Sequence, residues 1–251
     1  MSRRIRILTY NIHKGYATGN RRFVLEAMRS LIADTGVDLV FLQEIHGIHS
    51  ALKYHDKRAT YPEQPHFEYL ADLSWPHHAY GRNAIYRRGD HGNAILSKFP
   101  FERWENINVS RMRTASRSIL HGVIQLPRRK RPLHVLCVHL GLFEGERREQ
   151  FRILSERIES HVPRDEPLIL AGDFNDWRRR AGRHLHQSLG MDELFRELQG
   201  RHARTWPIWR PMLAMDRIYY RGMRPVSCER LSKGPWRMLS DHAALLGEFE
   251  L

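Results

Sequence analysis

Cysteine is scarce in this chain, with Cys137 and Cys228 the only two in 251 residues. Two thiols make no disulfide framework, and Cys137, inside LHVLCVHL, reads as a small buried apolar residue. Long apolar runs are missing as well. No stretch approaches the roughly 18 apolar residues of a membrane span. The start, MSRRIRILTYNIH, carries basic residues but no apolar segment long enough for a signal peptide. A soluble, cytoplasmic protein is therefore expected. Low-complexity linkers and internal repeats are also lacking, so one domain over residues 1–251 is expected. Acidic residues are the last shortage: 28 Asp and Glu stand against 41 Lys and Arg, a net charge of +13.

What is present suits a folded protein with an anionic partner. A hydrophobic share of 41% and an aromatic share of 10% supply a real core and exclude wholesale disorder. The positive field attracts polyanions, whether nucleic acid, phosphorylated small molecules or an anionic lipid surface. Arginine dominates the basic residues and offers forked donors to phosphate oxygens. The runs RRK at 128–130 and RRR at 178–180 read as solvated loop tips.

Short β-branched and aromatic runs recur along the chain. IRILTYNI (5–12) and DLVFLQEI (38–45) read as strands around a helix in RRFVLEAMRSLI, whose apolar face would hold Phe23, Val24, Ala27 and Leu31. AYGRNAIYRRGDHGNAILSKFPF reads as two strands about a Gly-Asp-His-Gly turn, and RSILHGVIQL with RPLHVLCVHL as a hairpin. GERREQFRILSERIESHV has helical spacing through Phe151, Leu154 and Ile158, and LILAGDF, MDRIYY and HAALLGEFEL read as further strands. Strands outnumber helices, which predicts two sheets packed face to face with helices outside. Two regions resist this reading: residues 45–80, rich in His and Pro, and ARTWPIWRPMLAM (203–215).

Polar residues collect where the apolar strands end. Asn11 follows RILTY, Glu44 follows LVFLQ, His139 follows VLCV, and Asp173 with Asn175 follows LILAG; Asp216 opens DRIYY, and Asp241 with His242 precedes AALL. One such residue is a turn, but six strand ends of this kind predict a common rim. Oxygen ligands suit a hard cation such as Mg²⁺, and histidines add proton transfer and a donor to a phosphoryl oxygen. Together these types support hydrolytic phosphoryl transfer.

In order, TYNIH, LQE, HGNAILS, VHL, GDFND, MDRIY and SDHAAL resemble the motifs of the endonuclease/exonuclease/phosphatase superfamily, over residues 5–249. Uncharacterised bacterial members with NIHKG and FNDW extensions are the most similar. The resemblance implies a DNase-like, four-layer α/β sandwich of two mainly antiparallel sheets, and Mg²⁺-dependent (or Mn²⁺-dependent) hydrolysis of a phosphate ester. It implies metal binding by Asn11, Glu44 and Asp241, and catalysis by His139, Asp173, Asn175, Asp216 and His242. Within that set Asp216 would orient His242, and either His242 or Asp173 would activate the water. His13, His46 and Asn93 are candidate substrate neighbours; Asn93 could equally sit in a hairpin turn, and Asp176 reads as a turn or cap. Two departures point away from abasic-site endonucleases, which carry Asp at the place of His13 and Tyr at that of His139. Nuclease activity, weakly favoured by charge, stands beside a phospholipid or inositol-phosphate phosphoesterase, and beside a catalytically silent phosphate- or nucleic-acid-binding module. Trp206 and Trp209 could stack on bases or enter a lipid interface. No obligate protein partner is implied.

Overall fold

The computed structural model describes residues 4–19, 22–49, 61–72, 74–86, 89–110, 117–178 and 181–251. In chain order its elements are β1 (Arg4–Asn11), α1 (Leu25–Asp34), β2 (Leu39–His49), α2 (His66–Ala71), β3 (His77–Tyr86), β4 (Gly89–Ser97) and β5 (Phe101–Asn108). There follow β6 (Ser118–Ile124), β7 (Leu133–His139), α3 (Glu144–His161), β8 (Leu168–Asp173), α4 (Ala181–Leu189), β9 (Asp192–Glu193) and α5 (Leu194–Gln199). The chain closes with β10 (Asp216–Arg221), β11 (Arg224–Leu231) and β12 (Ala244–Glu250). None of the described helices is long and apolar enough to cross a membrane.

Two six-stranded sheets result, ordered β11-β12-β1-β2-β4-β3 and β5-β6-β7-β8-β10-β9. Each is antiparallel except for one parallel pair, β1 with β2 and β7 with β8. Side-chain alternation divides the core into layers. Ile5, Ile7, Leu39 and Phe41 meet Val135, Cys137, Ile169 and Ala171 between the sheets. The opposite faces of the same strands pack outward: Leu8, Tyr10 and Val40 on Leu25, Met28 and Ile32, and Leu136, Val138 and Leu170 on Leu154 and Ile158. Because each strand buries both faces, its sequence reads as a continuous apolar run. The four-layer α/β sandwich is thus the observed fold, and Cys137 is the buried small residue that its context implied.

Several local expectations need correction. Helix α1 starts at Leu25 and buries Leu25, Met28 and Ile32, while Ala27 is exposed and Phe23 lies before the helix. Leu25, Met28 and Ile32 are the residues that pack on Leu8, Tyr10 and Val40 of β1 and β2. Gly-Asp-His-Gly (89–92) is part of β4 rather than a turn, and residues 87–88 between the strands lie outside the described residues. A Cβ on Gly92 would run into the Gly81 carbonyl of β3, so glycine there permits close cross-strand approach. The same finding removes Asn93 from a hairpin turn and places it inside β4. Within 45–80, β2 continues to His49 and α2 forms at His66–Ala71; residues 50–60 lie outside the described residues. The strands β5, β9 and β11 and the helices α4 and α5 were not anticipated. Arg128, Arg129 and Lys130 are exposed, as a loop tip should be; Arg179 and Arg180 lie outside the described residues.

Candidate active site

The two parallel pairs decide where the site forms. Asn11 ends β1 beside Gln43 of β2, with Glu44 one residue further on. In the other sheet His139 ends β7 beside Asp173, which ends β8, and Asp216 opens β10 opposite Asp173. Carboxyl ends of parallel strands leave polar groups at one edge, the usual place for ligands in α/β proteins. The edges of the two sheets join there: Asn11 Nδ2 donates to Asp173 Oδ2 at 3.0 Å. The segment ahead of β12 is pinned to the same place, since Ser240 Oγ donates to the Asn11 carbonyl at 2.7 Å and accepts from the His242 amide at 3.2 Å.

The turn after β8 explains the abrupt change in LILAGDFNDW. Gly172 has φ 143°, and a Cβ there would meet the Val138 carbonyl of β7. Asp173 Oδ1 accepts the Asn175 amide at 3.0 Å, and Asn175 Nδ2 donates to the Leu140 carbonyl at 2.9 Å. Asn175 itself has φ 49°, and His13, Lys14 and Glu44 are also left-handed, at 46°, 58° and 56°. These are four of the six non-glycine residues with positive φ among those described. Such conformations cost free energy and cluster at functional sites. At Glu44 the pairing of β2 with β4 shifts register between Leu42 and Ile45, a bulge that re-aims the side chain.

Four buried side chains converge at the centre. Asp216 Oδ2 lies 2.8 Å from His242 Nδ1, while His242 Nε2 is 4.0 Å and His139 Nε2 3.5 Å from Asp173 Oδ2. Burial opposes a charged His242, yet Asp216, Asp173 and Asp241 outweigh it and push its pKa up to about 10. Burial, followed by the Asp216 charge, raises the Asp173 carboxyl. Burial, followed by the Arg117 guanidinium, holds His139 well below the usual histidine range, so it is neutral at pH 7. The Asp216 amide is fixed by Thr205 Oγ1 at 3.2 Å. The edge therefore presents a charged imidazole, a neutral one and a carboxylate within reach of one another.

Glu44 and Asp241 occupy the more open part of the edge. Lys14 Nζ is 3.8 Å from Glu44 Oε2, and His13 Nδ1 is 3.7 Å from Asp241 Oδ1. Asp241 Oδ2 also accepts the Trp206 indole N–H at 3.2 Å. Lys14, His91 and Arg117 escaped the sequence reading, and Trp206 was read only as a stacking or lipid-facing ring. His91 is held down to about 4 by burial and then by Lys14, which places both beside the site. Lys14 had a visible signal, its place in NIHKG; Arg117 had none, because it follows no apolar strand.

The remaining candidates separate. His13 joins the edge through its amide, which donates to Asn11 Oδ1 at 3.1 Å. His46 is buried and packs against the His66 and His91 rings. Asn93 is buried and donates to the Ser118 carbonyl at 3.0 Å, tying β4 to β6. Asp176 is neither a plain turn residue nor a cap. Its carboxylate receives the buried Arg217 guanidinium at 3.3 Å, and its carbonyl takes a second bond from the same group. That pairing leaves Asp216 to His242 rather than to its neighbour Arg217.

The donor set fits a hard divalent cation. Asp173, Asp216 and His242 offer ligand atoms all within 4.8 Å of one another, and the buried Asp216 Oδ1 has no hydrogen-bond partner. Glu44 and Asp241 add carboxylates outside that group, and carboxylate and amide oxygens are the ligands such ions prefer.

Comparison with known proteins agrees with this architecture. YbhP of Escherichia coli K12, named only as an uncharacterised protein, is 43% identical over 246 residues, 98% of this chain and 96% of that protein. The structure is similar to an endonuclease/exonuclease/phosphatase from Beutenbergia cavernae, with TM-score 0.75, 20% identity and 99% and 72% of the two chains covered. It is also similar to TDP2 of D. rerio complexed with single-strand DNA product, with TM-score 0.72, 20% identity and 99% of each chain covered. The profile of the Endonuclease/Exonuclease/phosphatase family matches residues 8–242, and the chain belongs to that family.

Proposed function

We propose that the chain, as one domain over residues 1–251, is a Mg²⁺-dependent hydrolase of phosphodiester or phosphomonoester bonds, with Mn²⁺ able to replace Mg²⁺. The arrangement of Asp216, His242, His139 and Asp173 carries this reading. Asp216 holds His242 at 2.8 Å, and both imidazole Nε2 atoms turn toward the Asp173 carboxylate. A phosphate-binding module needs cations, but it does not need a buried carboxylate that orients an imidazole.

Asn11, Glu44 and Asp241 are assigned to the metal in preference to the Asp216–His242 pair. Ligation by His242 Nδ1 would break its 2.8 Å bond to Asp216, and Mg²⁺ favours oxygen over imidazole. Bound there, the cation supplies positive charge to phosphoryl oxygens. Asp173 and Asn175 position the attacking water, whose proton passes to the Asp173 carboxylate, because charged His242 already carries a proton on both ring nitrogens. Charged His242 and neutral His139 donate to the oxygens that gain charge in an in-line displacement. His13 stands beside Asp241 as a substrate neighbour, whereas the buried His46 and Asn93 shape the walls.

The net charge of +13 suits a polyanion. The DNA product held by D. rerio TDP2 makes nucleic acid one substrate to test. A phospholipid or inositol phosphate is the other, and the exposed apolar side chains Leu142, Phe143 and Trp209 favour the phospholipid. The decisive experiment is a hydrolysis screen with and without EDTA over single- and double-stranded DNA, RNA, inositol phosphates and phospholipids, with Asp173→Ala in parallel. Metal-dependent turnover of one class, lost in Asp173→Ala, is the expected result. Equal activity of the variant would assign the turnover to a contaminant.

A further inference from the structure

Nine large apolar side chains stand exposed among the described residues, and six belong to loops that enter or leave the catalytic strand ends. Leu142 and Phe143 follow His139, Trp177 follows Asn175, Trp209 and Met212 precede Asp216, and Met238 precedes Asp241. Each is between 47% and 67% exposed, in a chain whose mean hydropathy is −0.56. Hydrogen bonds hold the loops of Leu142, Trp209 and Met238 to the fold. Arg147 Nη1 donates to the Gly141 carbonyl at 3.0 Å, the Ile208 amide to the Asp241 carbonyl at 2.8 Å, and the Met212 amide to the Trp206 carbonyl at 2.9 Å. Arg237 Nη2 ties the last two loops together through the Trp209 carbonyl at 3.3 Å.

Charge is interleaved with this apolar rim. The dipeptide Trp-Arg occurs three times, at 177–178, 209–210 and 236–237, each time in one of these loops. The other tryptophans, Trp75, Trp104 and Trp206, are followed by Pro, Glu and Pro. The Arg178 guanidinium lies 4.6 Å from the centre of the Trp177 ring. Indole rings settle at the boundary between headgroups and acyl chains, and arginine beside them meets lipid phosphate. Single-stranded nucleic acid would use rings for stacking, but Leu142, Met212 and Met238 have no π face to offer a base.

We propose that this edge docks on an anionic bilayer, seating the catalytic groups over a phosphoester headgroup. The proposal rests on the phosphoesterase reading above, and the test separates the two. The full chain is sedimented with phosphatidylglycerol–phosphatidylcholine vesicles and with pure phosphatidylcholine vesicles, and tryptophan emission is recorded. Hydrolysis of soluble bis(p-nitrophenyl) phosphate is measured beside it. Association with the anionic vesicles and a blue shift are expected. Phe143→Ser and Trp209→Ser should each lower the partition coefficient by about tenfold, the effect of withdrawing one large apolar side chain. Arg210→Glu should weaken binding to anionic vesicles, and all three variants should hydrolyse the soluble diester at the parent rate. Wild-type protein left in the supernatant would overturn the docking surface, as would unchanged binding in the Phe143 and Trp209 variants. Loss of oligonucleotide affinity in those variants, without vesicle association of the parent, would overturn it in favour of base stacking. Vesicle association without diester hydrolysis would support the surface and overturn the phosphoesterase reading instead.

Discussion

Asp216 Oδ2 and His242 Nδ1 lie 2.8 Å apart across 26 positions of sequence, both buried, with the second carboxylate oxygen of Asp216 left without a hydrogen-bond partner. A carboxylate placed this way fixes the tautomer and ring orientation of its histidine and favours the charged imidazole.

His242→Ala and His139→Ala should each lower kcat by about 10²–10⁴, the range for positioned proton-transfer and charge-stabilising groups. Asp216→Asn should cause a milder defect of the same kind, because it disturbs orientation and leaves the imidazole in place. Steady-state kinetics on the substrate found by screening reads both. Near-parental rates in both histidine variants would remove the assigned roles.

Folding moves His242 from its ordinary value of 6.5 up to about 10, because three carboxylates outweigh burial. A raised folded pKa stabilises most where the group is charged in both states, here below about pH 6.5. That contribution is lost as pH rises through about 10. In metal-free protein, NMR titration should find the His242 imidazole still protonated at neutral pH, and Asp216→Asn should bring its pKa down. A titration unmoved by Asp216→Asn would contradict the pairing.

Metal removal should abolish turnover and spare the fold, since the edge rests on hydrogen bonds between protein groups such as Asn11 with Asp173 at 3.0 Å. Glu44→Gln and Asp241→Asn should raise the Mg²⁺ concentration for half-maximal activity by at least the roughly 10- to 100-fold seen for outer-shell changes. Activity in EDTA and circular dichroism check the two halves. Full turnover in EDTA would sink the metal assignment.

The Arg217–Asp176 pair is structural. Arg217 is fully buried, and its guanidinium reaches Asp176, the Tyr219 hydroxyl at 3.2 Å and the Ala214 carbonyl at 3.2 Å. Asp176→Ala leaves that charge uncompensated and should destabilise the protein by about 3–5 kcal/mol. Urea unfolding measures the change, and a loss below about 1 kcal/mol, the scale of an exposed pair, would refute this account.

A second buried chain runs from Arg157 to Glu166, away from the catalytic set. Arg157 Nε donates to His121 Nδ1 at 3.1 Å, which leaves His121 Nε2 to donate to His134 Nδ1 at 2.9 Å and His134 Nε2 to donate to Glu166 at 2.6 Å. Neither ring keeps a free acceptor, and burial followed by the neighbouring His134 and Arg157 lowers His121 to about 3. The unfolded chain therefore binds more protons between about pH 6.5 and 3, so stability should fall as pH drops through that window. His121→Gln should flatten this part of the Tm-against-pH curve; an unchanged slope would contradict the chain.

The sequence by itself determined the apolar central strands and the family. IRILTYNI, DLVFLQEI, LHVLCVHL and LILAGDF are strands because branched and aromatic runs bury both faces, a property of neighbouring residues. The order of TYNIH, GDFND and SDHAAL then named the polar residues at their ends. Tertiary structure decided which of those residues meet. Asn11 reaches Asp173 across 162 positions only because two sheets pack face to face with these strand ends at one rim, and no local pattern encodes that distance. The stripe of α1 was misjudged for the same reason, since the sheet beneath it selects Met28 and Ile32 over Ala27 and Leu31. Asp176 looked like a turn residue until Arg217, 41 positions away, arrived beneath it. Trp206 and Trp209 looked alike in sequence, yet one indole is spent on Asp241 and the other stands exposed. Composition and alternation act between near neighbours along the chain, whereas partner choice at a buried polar site depends on strand pairings hundreds of atoms apart.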